Sequence, residues 1–339
     1  MKSLKPRSSV QGFTLVELLI AMALGIFLLL GLTNIFIGSK ATFSSQAGMS
    51  RMQQSGRFAI DLLQTEIRMA GFSGCFSTAN EPKNTLNIDP PPVEFNIGEA
   101  INGYEATGTS QWNGSSTLNA LPDDVDEDNV TGGTDIILVR RAGNDGLRLA
   151  SAMPNTSATV FVASNLSPEP IADGDVLLLS DCSKSAIFQV TNYTVSSGGI
   201  QHNTGVGSPG NSTKILSDDK SFDTDATVYK IETKIFFIQP GAGTNNRNDA
   251  YQSLWMKNGT DDPIELVPGI ENLQVLYGED SGGDGVPDRY VTADDVSDMA
   301  DVVTVRVSVV ANSIDSVGSA GSILNRNFSS LIKIRNRGV

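Results

Sequence analysis

The sequence predicts an α+β protein, with one long amino-terminal helix packed on an elaborated antiparallel β region. Three observations predict it. No proline occurs between Phe13 and Ala70, so no residue there breaks a helix. Within that stretch Met52, Gly56, Ala59, Leu63, Ile67 and Ala70 recur every three or four residues, the spacing of one helical stripe. Beyond residue 133 the chain turns to short runs of Val, Ile, Phe and Thr bounded by Gly, Asn or Asp, the pattern of antiparallel strands.

The helix divides by composition. Residues 13–37 are apolar apart from Thr14, Glu17, Thr33, Asn34 and glycines. At about 1.5 Å per residue this half reaches roughly 37 Å, against a hydrocarbon core of about 30 Å. It is predicted to cross a membrane. Residues 38–71 form the amphipathic half, with Arg51, Arg57, Asp61, Gln64 and Arg68 on faces away from the stripe. Gly71 and Gly74 are its natural terminators.

Residues 72–339 are predicted to form a β-rich globular domain. Its first part, about 75–133, carries Pro90-Pro91-Pro92, many Asn, Gly and Ser, and an acidic run at 123–128, which predict an irregular exposed connection. Strands are expected at 135–140, 158–163, 175–180, 186–195, 226–239, 251–257, 273–277, 302–311 and 328–334. Loops rich in Gly, Asn and Ser are expected at 196–212 and 240–248.

Charge bounds the partners. The net charge is −14, and an acidic surface repels phosphate backbones, so nucleic-acid binding by the globular part is disfavoured. Lys2, Lys5 and Arg7 precede the apolar run and the acidic bulk follows it. That asymmetry predicts a cytoplasmic amino terminus and a globular part across the inner membrane, in the periplasm. The two cysteines, Cys75 and Cys182, read as one disulfide in an oxidising compartment, with a pair of unbridged thiols as the alternative.

Glu17 is the informative residue of the apolar half. A carboxylate at that depth costs roughly 2.5–3.5 kcal/mol on insertion scales, so it is normally retained for a purpose. The order is a basic tail, Gly12, Phe13, then Thr14-Leu15-Val16-Glu17 and the apolar run. A plain single-pass anchor explains the length and flanks but not that order.

The order resembles the class III leader of type IV prepilins. The resemblance implies removal of residues 1–12 by a prepilin peptidase between Gly12 and Phe13, and N-methylation of Phe13. It further implies pairing of Glu17 with the Phe13 amine of a neighbouring subunit, which would set register during assembly. The mature net charge would be −17 once Lys2, Lys5 and Arg7 leave.

Three further blocks resemble the PilW type of minor pilin. They are Arg57-Phe58-Ala59-Ile60-Asp61-Leu62-Leu63 continuing to Phe72, Pro268 to Gly278 followed by Asp288-Arg289-Tyr290, and Leu331 to Arg337. The resemblance implies a pilin-like fold and partners among other minor pilins, the major pilin and a PilY-type tip adhesin. A tip-exposed adhesin and a pseudopilin of type II secretion are the alternative readings. Thr33-Asn34 stand where major pilins often carry proline, which fits a minor component.

One stretch resembles a calcium loop. Hard cations take six to eight oxygens, and Asp280, Asp284 and Asp288 fall at loop positions one, five and nine, with Gly285 at six. Positions three and twelve are Gly282 and Val291 rather than acids; a solvated acidic turn is the alternative. Gly205 to Gly210 matches a dinucleotide fingerprint by letter only, without a following helix pattern. The single histidine, His202, has no evident Ser or Cys partner, and no enzyme chemistry is supported.

Overall fold

The computed structural model describes residues 14–74, 82–88, 93–108, 111–115, 125, 129–259, 261–319 and 321–337. Helix α1 runs unbroken over Leu15–Arg68, about 80 Å at 1.5 Å per residue. Its end is local. The Met69 amide bonds back to the Glu66 and Ile67 carbonyls, and Gly71 turns the chain with φ of 71°. The Gly71 amide then donates to the Arg140 carbonyl at 2.8 Å.

Only the second half of α1 is packed. Its buried residues are Gly48, Met52, Ser55, Gly56, Ala59, Leu63 and Ile67, the expected stripe lengthened by Gly48 and Ser55. They lie on a four-stranded antiparallel sheet ordered Arg289–Val291, Ile270–Glu279, Val302–Asn312, Asn325–Lys333. Leu63 and Ile67 share a core with Val305, Val307, Val309 and Ile332. Two glycines let the helix be approached closely, Gly56 by the sheet and Gly48 by the loop that follows Val302–Asn312. Any side chain on Gly56 would meet the Phe328 ring, and one on Gly48 would sit 2.7 Å from Val317 Cγ1.

The second sheet has ten strands and is built on one long strand, Thr227–Thr244. Along one side it pairs with Ile136–Ala142 and Leu147–Arg148. Along the other it pairs first with Val176–Ser180, then with Ala250–Asn258. A small three-stranded sheet of Val160–Phe161, Gly199–Gln201 and Asn192–Thr194 forms a lobe, with its own core around Phe188, Ile200 and Phe222. Asp135 joins the two larger sheets. Its amide donates to the Leu273 carbonyl at 2.9 Å, while its carboxylate accepts from the Val275 and Ala106 amides at 2.8 and 3.3 Å.

The α+β architecture expected from the sequence is the one observed. The differences are local. The connection expected to be irregular contains strand Ile101–Ala106, paired with Ile136–Ala142, and strand Trp112–Gly114. Glycine is needed at position 103 because the Tyr277 hydroxyl lies against it. The expected loop after residue 239 is still strand to Thr244. Pro240 is tolerated because Ile136–Ala142 ends opposite Phe236, leaving Pro240 with one partner strand. Gly199–Gln201, inside another expected loop, is a strand of the small lobe. Ile264–Pro268 is a strand the sequence reading missed.

Candidate functional site

Gly12 and Phe13 lie outside the described residues; the described chain begins at Thr14, the residue that starts the helix. Thr14 is its N-cap and Glu17 its third residue, and the two form a reciprocal capping box. The Glu17 amide donates to Thr14 Oγ1 at 3.2 Å. In return, Glu17 Oε2 accepts from the Thr14 amide and from Thr14 Oγ1, both at 3.0 Å. Both bonds fall on the same oxygen, Oε2. The positive end of the helix dipole favours a carboxylate at this position.

From Leu15 to Ile37 no residue is buried. Leu15, Phe27, Leu28, Ile35 and Phe36 each expose two thirds or more of their surface. This is the one helix among the described residues long and apolar enough to cross a membrane. Such a face is stable only in lipid or against other apolar helices.

The far end of α1 is clamped by charge. Glu66 is 2.8 Å from Lys234 and 3.4 Å from Arg141, and Glu232 is 2.9 Å from Arg141. Arg141 is largely buried, which makes geometry decisive, since breaking such a pair strands a charge. The sequence reading missed this cluster. A signal exists, because Lys230, Glu232 and Lys234 alternate along one strand and share a face. Arg140 beside it is fully buried, and burial brings its guanidinium down to about 10. It donates to the Glu99 carbonyl at 2.7 Å and also to Val93 and Asn102, pinning the connection before Ile101.

Cys182 sits in the turn between Val176–Ser180 and Ser185–Gln189, and no cysteine among the described residues is free. Cys75 lies outside the described residues. Gly74 just before it, with φ of 86°, would bring a Cβ within 3.5 Å of Ser180 Oγ. The chain therefore approaches the Cys182 turn where residue 75 begins.

The three acids of the expected calcium loop all accept hydrogen bonds from the loop itself. Asp280 is nearly buried and accepts from the amides of Gly283, Asp284 and Gly285 at 2.7, 3.2 and 2.6 Å. Asp284 accepts from the Val286 amide at 2.9 Å. Asp288 accepts from the Ser281 amide and hydroxyl at 2.9 and 2.6 Å. Asp280 engages both oxygens and Asp284 and Asp288 one each, and among the described residues no three potential ligands gather as a metal site. The turn between Ile270–Glu279 and Arg289–Val291 is held by its own amides.

Together, the capped apolar helix start and the sheet-packed second half define a class: a membrane-anchored pilin-like protein. Residues 7–33 match the prokaryotic N-terminal methylation motif, the class III prepilin leader. Residues 235–331, from the central strand through most of the four-stranded sheet, match the family described as type IV pilus-assembly protein W. These two matches support a PilW-type pilin of the type IV pilus system. A search of curated proteins finds no match.

Proposed function

We propose that the chain is a minor pilin that joins other minor pilins at the inner membrane to initiate pilus assembly and is carried near the tip of the fibre. One observation carries the reading: Glu17 stands in an apolar, wholly unpacked half-helix with both of its cap bonds on a single carboxylate oxygen. Cleavage after Gly12 creates a cationic Phe13 amine in the same apolar setting. An isolated buried charge is costly and a paired one tolerable, so an incoming Glu17 and a neighbour's amine neutralise each other and fix axial register. The capping box leaves Oε1 for that amine while Oε2 keeps the helix start intact.

In this reading the prepilin peptidase and N-methylase act on the chain, which is structural rather than enzymatic. The major pilin and a PilY-type tip adhesin are its neighbours in the fibre. The globular part lies in the periplasm before assembly. There a Cys75–Cys182 bridge ties the end of α1 to the Cys182 turn; the approach of Gly74 to Ser180 supports it. Substituting Glu17→Ala should leave leader removal and folding of the globular part unchanged while surface pili fall sharply, measured by shearing and immunoblot. Normal piliation in that strain would refute the pairing.

A further inference from the structure

We propose that the small lobe holds a binding pocket for an acidic sugar, one pyranose ring bearing a carboxylate. The lobe lies outside both segments that match known families, so the pilin reading neither requires nor predicts the pocket. The cavity measures about 280 Å³ and is lined by Ser157, Thr159, Gln201, His202, Asn203 and Lys214. Ligand pockets run upward from about 300 Å³, so this one suits a single small ring.

The lining is two hydroxyls, two amides, an imidazole and an ammonium, with no carboxylate and no large apolar side chain. That is unusual placement in a chain of net charge −14. Lys214 makes no ion pair among the described residues. An uncompensated cation beside hydroxyl and amide groups fits an anion that also carries hydroxyls.

The frame is rigid. His202 is 3 % exposed, its Nε2 donates to the Ala158 carbonyl at 2.9 Å, and its ring stands edge-on to Phe188 at 5.3 Å. With Nε2 as the donor, Nδ1 is an acceptor, and it has no hydrogen-bond partner. The Asn203 amide donates to Thr191 Oγ1 at 3.0 Å. The Gln201 carbonyl accepts from the Thr191 amide at 2.8 Å. The polar side chains thus project from backbone already fixed, which lowers the ordering cost of binding.

The test uses the full-length chain in a detergent without a sugar headgroup, titrated calorimetrically with glucuronate, glucose, acetate and inorganic phosphate. Glucuronate should bind at least tenfold tighter than glucose or acetate. Lys214→Met and, separately, Thr159→Val should each weaken it severalfold or more without moving the melting temperature; both side chains are at least partly exposed. No glucuronate binding, or equal binding by wild type and Lys214→Met, overturns the proposal. Phosphate binding as tight as glucuronate also overturns it, because the site would then read charge alone.

Discussion

The two halves of α1 share one uninterrupted backbone and opposite relations to the rest of the chain. The half from Leu15 to Ile37 is the more apolar and buries nothing, whereas from Gly48 onward a seven-residue stripe disappears into the four-stranded sheet. Apolar content alone therefore does not decide burial within a chain; the partner does. The second half finds its partner in its own strands, and Gly48 and Gly56 are the positions that let it approach. The first half has none among the described residues, so lipid or other apolar helices must supply one. Glu17 is the only acid there, placed where a register contact would be needed.

That contrast can be broken most strongly at Leu63. Leu63→Ala removes a fully buried side chain from the helix–sheet core and should cost about 2–5 kcal/mol by chemical denaturation. The matching change in the other half, Leu28→Ala, should leave the same denaturation curve within about 0.5 kcal/mol. Next comes Gly56→Val, which forces a side chain into Phe328 and should cost about 1–3 kcal/mol by overpacking.

A subtler effect is a pH dependence at the joint between the sheets. Burial, reinforced by Asp135, Asp294 and Asp295, raises Glu105 to about 7. Burial likewise raises Asp135 to about 6 against its amide bonds. Both folded values lie above those of the unfolded chain, so the folded state binds protons more readily. Their stabilising contribution is full below about pH 4 and is lost as pH rises through about 6 and then 7. Denaturation midpoints should therefore rise between pH 7.5 and 5, with Asp135 contributing on the order of 1–3 kcal/mol. Glu105→Gln should remove the upper limb. The smallest expected effect is none: millimolar calcium should not shift melting, because each acid of the 280–288 turn already accepts from a loop amide.

What was legible in the sequence follows the range of the interaction. The helix and its stripe depend on spacing within a few residues, and Val302–Asn312 is a long Val-rich run, so both could be read directly, whereas the three-residue Arg289–Val291 could not. Ile101–Ala106 could not, because its strand character comes from Ile136–Ala142 on one side and Tyr277 above Gly103. The Glu66 cluster joins residues 66, 141, 232 and 234, and only its alternation along one strand is visible locally. The Asp280 turn shows a different limit. Residue types and spacing suggested a cation loop, and the amide bond that each acid accepts could not be read from them. The Thr14–Glu17 cap was written in the sequence as a four-residue pattern, and the placing of both cap bonds on one Glu17 oxygen needed the geometry.

The central claim is that an acid held at the helix start meets a newly made amine on an adjacent subunit. Mass spectrometry of the amino-terminal peptide from sheared fibres tests it most directly. The expected result is a chain beginning at methylated Phe13. A chain that still begins at Met1, or one that is absent from the fibres, would contradict the account.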